Sequence, residues 1–244
     1  MRDGFIKAAA IVPQCRVADT DWNAAHIICL YKDAIAKGAK IIVFPELAVT
    51  GYTCNDLFLQ DALLAGAHQA LRRIAEASAG SDAIVFVGCP LEHRGKLYNT
   101  AAVLQGGRVL AFIPKRFIPN YAEFYEVRHF APGPEEAQEI LWDGQAVPFG
   151  SRILIDVDAI PGLSLAAEIC EDAWAPNAPD IGHSLAGANV IVNLSASNET
   201  VGKDSYRSAL ISNISARTLS DYIYVSAGDG ESTQDIVFRV RVMI

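Results

Sequence analysis

The chain has 244 residues, 51% apolar and only 20% charged, which is long and apolar enough to bury a full core and excludes intrinsic disorder. The 28 acidic residues outnumber the 20 basic ones for a net charge of −8, so there is no basic surplus for a phosphate backbone and nucleic-acid binding is not expected. No apolar run approaches the ~18 residues of a membrane span, and five scattered cysteines without a CxxC spacing suit a reducing cytoplasm rather than a disulfide framework or a zinc site.

A short apolar run at residues 8–12, stopped by Pro13, reads as a first strand and is too short for a signal peptide. Residues 22–37 predict a helix with Trp22, Ala25, Ile28, Cys29, Ala34 and Ile35 on its buried face, closed by Gly38. Residues 41–44 form a continuous apolar run, as in a strand covered on both faces. A helix over 57–79 and a strand over 83–89 follow. Residues 98–104 and 109–113 form a hairpin about Gly106-Gly107. Residues 119–149, with aromatics and prolines, read as irregular. Strands at 152–157 and 163–169 precede a helix near 180–185, a strand at 190–194, a helix at 206–220 and a strand at 222–226. This alternation predicts an α/β fold. Residues 38–44 echo residues 187–193, and the same order of elements follows each copy. That points to two pseudo-equivalent halves.

Reactive side chains at the ends of buried strands need a reason to be there, and three stand out. Glu46 follows Phe44-Pro45, where Pro45 lacks the N–H to continue pairing. Desolvation there would move Glu46 toward a usable general base, although an acid in a helix first turn is the plainer alternative. Lys115 lies in Ile113-Pro114-Lys115-Arg116-Phe117, placed to stabilise an oxyanion or hold a carboxylate ionised; a solvated surface lysine is the alternative. Cys170 ends an apolar strand and is followed at once by the polar turn Glu171-Asp172, a setting like a nucleophile elbow. The alternative is a buried core cysteine, as Cys15, Cys29 and Cys89 read; Cys54 lies in a polar loop. A catalytic thiol needs a base. None of the histidines at 26, 68, 93, 129 and 183 sits at a strand end, so His129 and His183 rank below Glu46. GxSxG, GxGxxG, Walker A and metal-spaced histidine pairs are absent from the sequence, and no metal site is expected.

Glu46, Lys115 and Cys170, in that order, resemble the triad of the nitrilase (carbon–nitrogen hydrolase) superfamily. Glu46-Leu47-Ala48-Val49-Thr50-Gly51-Tyr52, Leu57-Phe58-Leu59-Gln60, the run from Pro119 to Glu126, Glu168-Ile169-Cys170-Glu171-Asp172, the run from Asn193 to Asn198 and Gly230-Glu231-Ser232-Thr233 are similar to the glutaminase domains of glutamine-dependent NAD+ synthetases, over about residues 7–238. The resemblance implies a four-layer αββα sandwich and hydrolysis of L-glutamine to glutamate and ammonia, without a cofactor. It implies Cys170 as nucleophile, Glu46 as general base, and Lys115 with the Glu171 N–H as oxyanion partners. Tyr121, Ser197 and Lys203 match glutamine-binding positions; Lys203 often corresponds to an arginine, so glutamine affinity is expected to be lower. Tyr52, Phe124, Glu126 and Glu171 match pocket-lining positions. The family further implies a partner synthetase domain or subunit, which uses ATP and Mg2+ to convert deamido-NAD+ to NAD+, and cytoplasmic homo-oligomers.

Residues 1–244 are thus expected to form one glutaminase domain. A nitrilase-like amidase of other specificity, or an inactive truncated remnant or regulatory subunit, are the competing readings. The apolar ending at Ile244 suggests a cut edge. Arg239-Val240 stand where a Gly-containing hairpin turn would follow residues 235–238, so the last sandwich strands and the synthetase domain are expected to be missing. NAD+ synthesis by this chain alone is not expected, and its stability and glutaminase activity are expected to be weaker than those of a longer domain.

Overall fold

The structure is a computed structural model that describes residues 5–233 and 236–244. Strands β1 (Ala8–Ala10), β2 (Ile41–Val43), β3 (Ile84–His93), β4 (Lys96–Gln105), β5 (Arg108–Pro114), β6 (Gln138–Trp142) and β7 (Gln145–Phe149) form one sheet in the order β1-β2-β3-β4-β5-β7-β6. Strands β8 (Ile155–Asp156), β9 (Ser164–Ile169), β10 (Val190–Ser195), β11 (Asp221–Ser226) and β12 (Arg241–Met243) form a second in the order β12-β11-β10-β9-β8. Helices α1 (Thr20–Ala36) and α2 (Asp61–Ala77) cover the outer face of the first sheet, and α3 (Pro179–Leu185) and α4 (Lys203–Thr218) that of the second.

The layering follows from the two-residue period of strands. In β2, Ile42 packs with Ala24, Ile27 and Leu71 of the helices, while Ile41 and Val43 point the other way, into a layer with Leu165, Val192 and Val225 of the second sheet. In β10, Ile191 packs with Ile211 and Ile214 of α4, while Val190, Val192 and Leu194 face the first sheet. Strands apolar on both faces are what a helix–sheet–sheet–helix stack needs, and the expected four-layer sandwich is observed.

The two halves are also present. The order β1-α1-β2-α2-β3-β4 recurs as β9-α3-β10-α4-β11-β12, and in each half three parallel strands are followed by an antiparallel fourth. The halves differ at the entry to that fourth strand. Arg94 and Gly95, with φ of 51° and 71°, turn β3 into β4 in two residues, whereas residues 227–240 separate β11 from β12. Asp235, the first of the residues after which the Gly-containing turn was expected, lies outside the described residues. Phe238 forms an isolated bridge to Asn198, and the pairing with β11 is made by β12.

Four other expectations are corrected. The buried face of α1 is Asn23, Ala24, Ile27, Tyr31 and Ala34, about one residue away from the predicted stripe. The polar Asn23 disguised it: its amide donates to the Arg16 and Val49 carbonyls and accepts the Arg16 N–H. The helix predicted from residue 57 begins at Asp61, because Tyr52–Leu59 coil as 3-10 turns and Gln60 is extended. Residues 119–149 contain the β6–β7 hairpin, turning at Asp143-Gly144, both at positive φ. The strand expected over 152–157 shortens to Ile155–Asp156.

Candidate active site

The predicted triad gathers where strands of both sheets end. Glu46 follows β2, Lys115 follows β5 and Cys170 follows β9. The Lys115 side chain is 0% exposed, and Glu46 and Cys170 are 1% and 6% exposed. Glu46 Oε1 accepts from Lys115 Nζ at 2.7 Å and from Asn99 Nδ2 at 2.6 Å, and its Oε2 accepts the Ala196 N–H, just past β10, at 2.8 Å. Two donors on Oε1 and one on Oε2 suit a carboxylate, which accepts at both oxygens. Lys115 Nζ also donates to Glu126 Oε1 at 2.7 Å, which accepts the Tyr52 hydroxyl at 2.8 Å as well. Glu126, expected only to line the pocket, is an ion-pair partner of the lysine. A short 3-10 turn, Glu126–Arg128, folds it back, a closure that its spacing from Lys115 did not announce.

The backbone is shaped for this approach. A Cβ on Gly88 would stand 2.3 Å from the Leu47 nitrogen and from the Pro45 oxygen, so only glycine lets β3 pass beneath Glu46. Cys170 has φ +44° and opens a 3-10 turn, Cys170–Trp174. Asp172 in that turn accepts the N–H groups of Ile169 at 2.9 Å, Arg116 at 3.0 Å and Phe117 at 2.8 Å.

Burial pushes the Cys170 thiol up to about 12; the charges of Glu46 and Glu126 add to this, and Lys115 and the Ala196 N–H oppose it. The resting sulfur is therefore a thiol. Burial alone would discharge Lys115, but Glu126 and Glu46 more than reverse that and raise it well above the usual lysine range. Burial raises Glu126 against the pull of the lysine. The site thus holds a neutral nucleophile, a carboxylate that can take its proton, and a cation beside both.

Of the predicted substrate residues, Tyr121 and Lys203 come near Cys170. Tyr121 is 55% exposed, and its hydroxyl donates to both oxygens of Glu171 at 2.9 Å. Phe124 is buried and meets the Tyr121 ring edge-on at 5.8 Å. Ser197 is buried: its N–H donates to Ser226 Oγ at 3.1 Å and its Oγ accepts from Arg207 at 3.4 Å. Lys203 opens α4, donates to Asn198 Oδ1 and stands 5.2 Å over the Trp174 ring. Burial lowers the Lys203 pKa, and nearby Arg207 adds to this.

Of the other candidates, His129 pairs with Asp56, and His183 is buried in α3, where burial holds it neutral with a pKa of about 4. Cys89 is a core residue as expected, but Cys29 is exposed, Cys15 is half-buried and Cys54 is buried. Sequence reading missed Asn99, Asp172 and the Ala196 N–H. Asn99 left a signal, since a lone asparagine inside an apolar strand is unusual.

The chain belongs to the carbon–nitrogen hydrolase family, which matches residues 7–225. Its relatives include the glutamine-dependent NAD(+) synthetase of Mycobacterium tuberculosis (strain ATCC 25618 / H37Rv), 41% identical over 241 residues that make up 99% of this chain and 36% of that protein. The Aquifex aeolicus (strain VF5) synthetase is 32% identical over 93% of this chain and 36% of its own length. The chain therefore spans about a third of the length of these curated relatives. Among solved structures, a glutamine-dependent NAD(+) synthetase from Cytophaga hutchinsonii superposes with a TM-score of 0.79 at 27% identity, over 98% of this chain and 43% of that one. An amidase from Nesterenkonia sp. shares the fold, with a TM-score of 0.75 at 19% identity over 100% of this chain and 84% of that one.

Proposed function

We propose that this chain is a cysteine-dependent amidase that hydrolyses L-glutamine to glutamate and ammonia. The observation that carries the reading is the meeting of Cys170, Lys115 and Glu46 in one buried cluster, on a chain similar over nearly its whole length to glutamine-dependent NAD+ synthetases. Because the resting sulfur is a thiol, its proton passes to Glu46 as the sulfur attacks the amide carbon. Lys115 and the Glu171 N–H stabilise the oxyanion. Glu46 then protonates the departing nitrogen, and a thioester remains on Cys170. Water that gives a proton to Glu46 attacks the thioester, the C–S bond breaks, Glu46 returns the proton to the Cys170 sulfur, and glutamate leaves.

Tyr121, Ser197 and Lys203 hold the amino-acid end of the substrate in this reading, with Tyr52, Phe124, Glu126 and Glu171 as pocket walls. The glutaminase step takes no cofactor. Its ammonia serves a synthetase domain or subunit that turns deamido-NAD+ into NAD+ with ATP and Mg2+, in cytoplasmic homo-oligomers. The test is glutamate release from glutamine by the wild type and by Cys170→Ala. Loss of release in the variant is expected, and equal rates would remove Cys170 from the mechanism. Faster turnover of asparagine, simple amides or nitriles than of glutamine would instead assign a different amidase specificity.

A further inference from the structure

Asp172 binds both the end of β9 and the segment that follows β5, the two stretches that present Cys170 and Lys115. Its Oδ2 accepts the N–H of Ile169, the residue before Cys170. Its Oδ1 accepts the N–H groups of Arg116 and Phe117, the two residues after Lys115. The two catalytic residues come from different sheets: β5 lies in the first and β9 in the second. The packing between the sheets is apolar, and apolar contact is not directional. The Asp172 carboxylate supplies three directional contacts at the end of that interface, and the side chain is 1% exposed. It also hooks the turn back across Cys170, whose φ of +44° is a conformation that L residues adopt only under constraint. Next door, Glu171 takes the Tyr121 hydroxyl, so consecutive acids tie the nucleophile turn to the segment after Lys115, one inside and one at the surface.

We propose that Asp172 is a positioning residue that sets the placement of the Cys170 sulfur relative to Lys115 and Glu46. The inference rests on the amidase reading for its catalytic consequence, but not for its geometric one. Length and charge both matter: asparagine turns an N–H2 toward donors, and glutamate is one methylene too long for the same three contacts.

The experiment compares wild type, Asp172→Asn and Asp172→Glu by kcat and KM for glutamine per titrated active site, and by the rate of Cys170 alkylation with iodoacetamide. Misplacement of about 1 Å costs ~10²-fold in rate. Both variants are therefore expected to lose about 10²-fold in kcat with KM little changed, and to alkylate more slowly. Faster alkylation of Asp172→Asn would overturn the inference, since removal of a negative charge that acted only through its field makes the thiol more acidic. A wild-type rate per active site in a less stable protein would also overturn it, by showing a purely structural role. If Asp172→Asn does not fold, Asp172→Glu decides: near-wild-type kcat and alkylation would refute positioning. If the wild type alkylates but releases no glutamate, the glutaminase reading falls, and the alkylation comparison still decides the role of Asp172.

Discussion

Lys115 is one cation between two carboxylates, at 2.7 Å from each of Glu46 and Glu126, and all three are buried. Burial is the main reason the Cys170 thiol is pushed up, and the charges of Glu46 and Glu126 add to it against the pull of Lys115. Replacing the lysine with Met would leave two buried carboxylates without a counter-charge, a loss of about 3–5 kcal/mol. Lys115→Met is therefore expected to unfold at much lower urea and to lose at least ~10²-fold in glutamate release. Adding Glu126→Gln removes one of the stranded charges and should restore part of the stability without restoring activity. Recovery of activity in the double variant would show that the lysine acts only as a structural counter-ion. Lys203 offers a point charge that is held by Asn198 and Trp174. Lys203→Arg gives a forked donor that suits a carboxylate. A several-fold lower KM for glutamine at similar kcat is expected, and an unchanged or raised KM would count against a carboxylate-holding role.

At the scale of elements, the sequence was most readable where one physical signal dominated. The apolar runs of β2, β9 and β10, and the reactive residues that end β2 and β9, came from pattern alone. The face of α1 did not, because Asn23 turns a polar side chain inward to satisfy the backbone carbonyls of Arg16, just before the helix, and of the more distant Val49. The partnership of Glu126 with Lys115 was equally hidden, because it depends on a turn that packs only in the folded chain. The start of α2 was misplaced because Leu57 and Leu59 extend the apolar stripe into 3-10 turns, where both remain exposed. Gly88 is the instructive case: within a strand it looks like a weak point, and it is where two backbones cross. Gly88→Ala would drive a methyl against the Pro45 oxygen and the Leu47 nitrogen. Because those atoms belong to the turn that carries Glu46, the expected outcome is a loss of activity larger than the loss of stability predicts. Glutamate release measured well below the melting temperature tests this, and a variant that melts early yet turns over normally when folded would refute it.

Over the whole molecule, the acids that matter for stability are not all at the catalytic cluster. Glu168 lies in β9 on the side of the second sheet that faces the helices, and it joins four elements. It accepts the Tyr222 hydroxyl of β11, the Asn193 amide of β10 at 3.4 Å and the Asp180 N–H of α3 at 3.2 Å. Burial pushes its carboxyl up to about 8, and the charge of Asp180 adds to this. An unfolded glutamate titrates near ~4.3, so between these values the folded chain binds the proton more tightly than the unfolded one. The contribution is complete below the unfolded value and is lost as pH rises through about 8. Asp172, raised by burial to about 7, has the same sign. His183 has the opposite behaviour: burial lowers it to about 4, so its contribution is complete above the unfolded histidine value of ~6.5 and is lost as pH falls through about 4. The two acids therefore lose stability as pH rises and His183 loses it as pH falls, so the limbs are separable. Glu168→Gln keeps the shape of the side chain and removes its titration. Its melting temperature is expected to fall less steeply than that of the wild type from pH 6 to pH 9 (about the span over which a carboxyl so raised ionises), while the acid limb stays as it was. Parallel curves for the two proteins across that span would mean that Glu168 is already ionised at neutral pH and that its hydrogen bonds outweigh its burial.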